Sequence, residues 1–197
     1  MKKFLHVGCG PQTKSGLKGF SSDDWQEIRF DIDQNANPDI LGTLVDMTAV
    51  SSDSYDAIFS SHNIEHVFPH EVPLALAEFY RVLKPDGFVV ITCPDLQAVC
   101  EAVVEDKLLE PLYESPAGPI SPIDILYGHR GYIERGNHYM AHKCGFTYSA
   151  LGGAFLSSGF KEIFGGRRPD AFDLWLVAFK ADTNPEKAKI FAMNFLP

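Results

Sequence analysis

Short apolar runs alternate with stretches of helical periodicity along the first half of this chain. Phe4, Leu5, His6 and Val7 form an apolar-leaning run that breaks into Gly8-Cys9-Gly10, the pattern of a strand ending in a turn. Residues 11–24 are polar and contain Gly16 and Gly19, which predicts a crossover made mostly of loop. Ser21 and Asp24 are spaced to cap one short turn before Trp25. Ile28, Arg29 and Phe30 lead into Asp31-Ile32-Asp33, a short strand ending in two carboxylates. A third strand is expected over 40–45, running out at Asp46 and Met47. A fourth covers 55–61, where Ala57, Ile58 and Phe59 give the continuous apolar run of a strand buried on both faces.

Residues 71–84 carry the clearest helix. Val72, Ala75, Leu76, Phe79 and Val82 fall on one face, Pro73 suits the first turn and Pro85 stops the element. Asp86-Gly87 turns the chain into a fifth strand over 88–92, and Asp95 can cap a helix with Leu96, Val99, Cys100 and Val103 as its apolar stripe. Strand and helix repeated in this order predict an α/β fold with a parallel sheet and right-handed crossovers. The rhythm breaks over 110–145, where Pro111, Pro116, Pro119 and Pro122 leave room for little more than one short helix started by Ser121, Pro122 and Asp124. A long irregular segment of this kind is expected to cover a substrate. A helix over 146–158, strands over 160–164 and 174–179, and a short amphipathic tail helix through Ile190, Phe191 and Phe195 complete the expectation.

Length and charge narrow the function. A chain of 197 residues suits one domain, 1–197, with a core of its own. A net charge of −9 argues against a nucleic-acid partner, and no apolar run reaches the length of a membrane span. With no leader-like start and four scattered cysteines lacking any Cys-x-x-Cys spacing, the chain reads as cytoplasmic with reduced thiols.

The glycines after the first strand allow a ligand to meet bare backbone. Asp31 follows them by about 20 residues, the interval at which a nucleotide-binding βαβ unit places the acid that accepts from ribose hydroxyls. A tight turn and a solvated acidic loop would account for the same residues separately.

Taken in order, Leu5-His6-Val7-Gly8-Cys9-Gly10, Asp31-Ile32-Asp33, Asp46-Met47, the run Tyr55 to His66 and Glu78-Phe79-Tyr80-Arg81-Val82-Leu83-Lys84-Pro85-Asp86-Gly87 resemble the motifs of class I methyltransferases that use S-adenosylmethionine. The closest likeness is to the small-molecule subgroup called type 11. It covers about residues 3–94, and Gly159-Phe160 with the closing strands is similar too. The resemblance implies a Rossmann-like three-layer α/β/α sandwich, its seven-stranded, mostly parallel sheet closed by an antiparallel last strand. It also implies S-adenosylmethionine bound across the carboxyl ends of the strands. Carried over by position, His6, Gly8, Cys9 and Gly10 border the methionine part and Asp31, with Ile32, holds the ribose. Asp46 accepts from the adenine amino group with Met47 beside the ring, and Ser60, Ser61 and His62 border the methionine moiety. The family has an acid where His6 stands and a third glycine where Gln12 stands, and a helical lead-in before the first strand is absent. The pocket is then open, or closed by a second subunit in a homodimer.

Methyl transfer from a sulfonium requires in-line positioning and exclusion of water, and a general base only for a protonated nucleophile. His62, His66, His138 and His142 are the candidates for that base, with His62, His138 and His142 carried forward, and Arg130 and Tyr139 for binding a small-molecule substrate. His62, His66 and His70 are spaced by four, and His138, His142 and Cys144 lie close, but Pro69 interrupts the first series. No metal is expected. Two rivals remain: an adenosyl-cofactor-binding interaction module without catalysis, and a nicotinamide-dependent oxidoreductase. The second lacks the third fingerprint glycine and the phosphate-binding helix.

Overall fold

The computed structural model describes residues 1–197. The opening apolar run forms β1 (Lys2–Val7), and its side chains alternate between two cores. Leu5 and Val7 face one, while Phe4 faces the other. After a single 3-10 turn (Lys14–Gly16) comes β2 (Trp25–Asp31), which starts earlier than expected because Trp25 is buried among aromatic rings. The third strand, β3 (Ile40–Leu41), is far shorter than the expected 40–45. Gly42 packs against the Phe30 ring, which a Cβ would overlap, and the chain turns away there.

β4 (Tyr55–Ser61) matches its expected span. α1 (Val72–Val82) buries all five residues of the predicted face, with proline in its first turn, and ends where Leu83 becomes extended. β5 (Leu83–Pro94) outruns the expected 88–92 in both directions. Asp95 caps α2 (Leu96–Val104) by accepting from the Gln97 and Ala98 N–H groups.

The proline-rich segment is more ordered than its composition suggests. It holds a hairpin, β6 (Tyr113–Ser115) and β7 (Gly118–Ile120), then α3 (Pro122–Tyr127) behind a Ser121/Asp124 capping box, and α4 (Arg130–Glu134). α5 (Tyr148–Ser157), β8 (Glu162–Arg168), β9 (Asp173–Phe179) and α6 (Pro185–Ala192) follow.

The seven-stranded sheet has the order β3-β2-β1-β4-β5-β9-β8, and only β9 runs antiparallel to its neighbours. α1 and α5 cover one face, where Ala75, Leu76, Phe79 and Phe155 are fully buried. The other face is covered by Leu17 and Phe20 from the first crossover and by Ala192 and Phe195 near the chain's carboxyl terminus, packed on Phe4, Trp25, Phe59 and Phe88. No helix is long and apolar enough to cross a membrane.

Candidate active site

The strand order reverses between β1 and β4, and a cleft of about 780 Å³ opens there at the carboxyl ends of β1, β2, β3 and β4. Open α/β sheets bind ligands at such switch points, and the volume is that of a cofactor pocket. Gly8 and Gly10 both adopt positive φ, +67° and +49°, and line the cleft. At Gly8 a Cβ would overlap the Asn63 carboxamide. At Gly10 nothing lies within 4 Å, so a ligand can meet the backbone there.

Asp31, at the end of β2, ties the turn together. Its Oδ2 accepts from the Gly10 N–H and its Oδ1 from the Asp33 N–H, each at 2.8 Å. A carboxylate oxygen has two acceptor positions, so each keeps one for a ligand hydroxyl. Arg29, two residues earlier on the same face of β2, donates to the carbonyls of Gly10, Ala36 and Asn37 and so clamps both loops. Thr43, Leu44 and Val45 form the wall beyond β3. A ligand with hydroxyl donors would find free acceptor positions at Asp31, beside a wall of Thr43, Leu44 and Val45.

Of the residues expected here, Gly8, Gly10, Asp31, Ile32, His62 and Tyr139 line the cleft, and the others do not. His6 is 2% exposed on the face of the sheet that carries Arg29 and Asp31 but does not line the cleft, and its Nδ1 meets Glu27 Oε1 at 2.6 Å. Burial holds its imidazole below the ordinary value against the pull of Glu27. Glu27 also accepts the Lys14 N–H at 2.9 Å, so the pair anchors the loop after the turn instead of touching a ligand. Cys9 is buried, and burial pushes its thiol up to about 11.

Asp46 is exposed and turned onto the Thr48 N–H, and Met47 is fully buried in the core; the early end of β3 takes both away from the cleft. Ser60 is fully buried and Ser61 half-buried within the sheet. Arg130 spends its guanidinium on Asp124, at 2.7 and 2.9 Å, and His138 is exposed at the surface. His142 lies behind the cleft, against a second cavity of about 240 Å³.

That second cavity and the cleft meet at a cluster the sequence reading did not assemble. Glu65, read only as part of the motif after β4, is 1% exposed. His62 and His66 from the cleft wall, and His142 from the far side of the proline-rich segment, converge on it. Burial alone would raise the Glu65 carboxyl, but the surrounding imidazoles of His62, His66 and His142 hold it below the ordinary range. Desolvation lowers His142. At His62 desolvation works in the same direction, and Glu65 overrides it and raises the imidazole. His62 has φ of +48°, a strained backbone for a residue with a Cβ and one that recurs at functional positions.

Sequence reasoning also missed Arg29, Thr43, Asn63 and Lys143 on the cleft wall. The signal for Arg29 was available, since period two puts it on the same face as Asp31. Asn63 and Lys143 were legible only once the loops were in place.

The model of a methyltransferase domain family matches residues 5–91. Among solved structures, a Methanosarcina mazei S-adenosylmethionine-dependent methyltransferase superposes with a TM-score of 0.58 at 15% identity, covering 92% of this chain and 93% of that one. An Archaeoglobus fulgidus S-adenosylmethionine-dependent methyltransferase gives 0.58 at 13% identity, over 91% and 86%. The 1,6-didemethyltoxoflavin-N1-methyltransferase of Burkholderia thailandensis, solved with its substrate and S-adenosylhomocysteine, gives 0.56 at 17%, over 92% and 72%. Three other matched structures are longer, and the chain spans 47%, 62% and 49% of them. Comparison with curated protein sequences returned no match. The family model thus covers the sheet from β1 into β5, and the solved structures, at 13–17% identity, share the fold of the chain.

Proposed function

We propose that this chain, a class I methyltransferase by fold and by the motifs of residues 5–91, transfers a methyl group from S-adenosylmethionine to a small-molecule acceptor. The observation that carries the reading is the pairing of the open backbone at Gly10 with the Asp31 carboxylate in a cleft at the switch point of the sheet. S-adenosylmethionine offers a ribose diol to a carboxylate and has no pyrophosphate, so it needs no phosphate-binding helix. Bound there, it supplies an activated methyl group.

Gly8 and Gly10 pass beneath the methionine part, Asp31 takes the ribose, and Thr43, Leu44 and Val45 flank the adenine where Asp46 and Met47 were expected. His62 stands at the methionine end. Tyr139, with Tyr132 and Met140 from the segment 110–145, forms the acceptor side. These aromatic and thioether groups suit a flat acceptor, the kind named for the Burkholderia neighbour. Their role is to hold the acceptor in line and keep water out. His62, raised by Glu65, is the nearest group able to take a proton from a protonated acceptor.

Calorimetry tests the cofactor, with S-adenosylmethionine and S-adenosylhomocysteine expected to bind and NADH not. Release of S-adenosylhomocysteine in the presence of a metabolite pool tests catalysis. Binding without turnover across a broad pool would favour the interaction module, and stabilisation by NADH alone would sink the reading.

A further inference from the structure

Glu65 carries a carboxylate that the protein itself does not satisfy. It is 1% exposed, and neither oxygen has a hydrogen-bond partner. A buried charged group left so is destabilising unless a cation compensates it. The closest ionisable neighbour, His62 Nδ1, stands at 3.6 Å, beyond hydrogen-bonding range.

Two other imidazoles are set as ligands are set. His66 Nδ1 donates to the Ala141 carbonyl at 3.1 Å and His142 Nδ1 to the Ile125 carbonyl at 2.6 Å. A ring whose Nδ1–H is held by a carbonyl keeps the lone pair on Nε2, the orienting contact that metal-bound histidines make. The ring centroids are 4.8 Å apart. One ligand atom each from Glu65, His66 and His142 lies within 4.8 Å of the other two. Three atoms so spaced always have a point within about 2.8 Å of all of them, so shifts of under about 1 Å reach the 2.0–2.2 Å of zinc bonds. The two segments are already joined, since the Glu65 carbonyl accepts the Lys143 and Cys144 N–H groups at 2.8 and 3.2 Å.

We propose that Glu65, His66 and His142 bind one divalent metal ion, Zn²⁺ being one that takes a two-histidine, one-carboxylate set. Three protein ligands leave a position open. His66 faces the cofactor cleft, while Glu65 and His142 wall the smaller cavity beside Ile125 and Leu126. The open position therefore takes an oxygen donor of the methyl acceptor, a statement that rests on the methyltransferase reading. The metal site itself does not. The histidines at 62, 70 and 138 are exposed and stand outside the set.

The test uses the whole chain, stripped with a chelator and titrated with Zn²⁺ by calorimetry, then loaded with Co²⁺ for visible spectroscopy. One equivalent should bind, with the ligand-field bands of a site of low coordination number. Glu65→Gln and His142→Gln should weaken binding by about 100-fold or more, since outer-shell changes alone cost 10–100-fold. His138→Gln, on the exposed surface, should change nothing. Thermal melts of the chelated variants check that they fold. Absence of stoichiometric metal in the unmodified protein overturns the proposal whatever the variants do, as does unchanged affinity in a folded Glu65→Gln. Calorimetry with S-adenosylhomocysteine is run separately: metal binding without adenosyl binding would remove the methyltransferase reading and leave the metal site standing.

Discussion

Gly8 and Asn63 form a pair whose energetics can be separated. Gly8 has φ of +67°, and a Cβ there would overlap the Asn63 carboxamide. Replacing Gly8 by Ala therefore adds two costs. The left-handed backbone costs about 1–2 kcal/mol for any residue with a Cβ. Displacing the carboxamide costs a further ~1–3 kcal/mol, as overpacking does. The sum, about 3 kcal/mol, should lower the melting temperature by about 6–12 °C in a domain of this size.

The Asn63 side chain makes no hydrogen bond to the protein, and its overlapping atoms all lie beyond Cβ. Asn63→Ala alone should cost under about 0.5 kcal/mol, the ordinary range for a substitution away from packed or bonded groups. In Gly8→Ala/Asn63→Ala the steric part vanishes and the backbone part stays, so the double variant should recover about 1–3 kcal/mol relative to Gly8→Ala. Urea denaturation of the four proteins measures this coupling. Additive effects within about 0.5 kcal/mol, or a Gly8→Ala as stable as the parent, would refute the geometry of the turn.

The wall of the cleft gives a second prediction. Thr43→Arg should weaken S-adenosylhomocysteine binding at least tenfold, about 1.4 kcal/mol, while Asp46→Asn should leave it within about twofold. A tenfold loss on Asp46→Asn in calorimetry would restore the assignment made from sequence. A third prediction concerns acid stability. Arg81, bonded at 2.7 Å, together with the Met47 N–H, holds the Glu78 carboxyl below its ordinary value. A folded-state value below the unfolded one stabilises above the unfolded value, about pH 4.3, and this is lost as pH falls through the folded value. Glu78→Gln should thus lower the urea midpoint at pH 7 and narrow its gap to the parent between about pH 4.5 and 3. A constant gap across that window would contradict the assignment.

What sequence revealed tracks how local the cause was. The extents of β4 and α1 and the Asp95 cap follow from runs, faces and caps within a few residues, and they stand where expected. β3 ends early because of the Phe30 ring lying on Gly42, a contact between strands that periodicity does not carry. The alternation of β1 already put His6 on the face opposite Leu5 and Val7. That face also carries Glu27, Arg29 and Asp31, and the bond to Glu27 holds His6 within the sheet, outside the lining of the cleft. In the segment 110–145 four prolines masked a hairpin that tolerates Pro119 because its two strands are all there is to that sheet. The Glu65 cluster was illegible for a different reason: it forms only when His142 is brought back 77 positions later, and no pattern around residue 65 records that. Of the cleft wall, the glycine turn, Asp31 and, by period two, Arg29 could be read; Thr43 needed the strands.

The packing of the second sheet face also sets when the site can come into being. Leu17 and Phe20, just beyond the glycine turn, rest on Ala192 and Phe195, with the Phe20 and Phe195 rings 4.9 Å apart and Gly19 kept bare by Phe195. Contacts that span almost the whole chain close last and slow folding. The glycine turn is therefore fixed only once the contacts of Leu17 and Phe20 with residues 192 and 195 have closed.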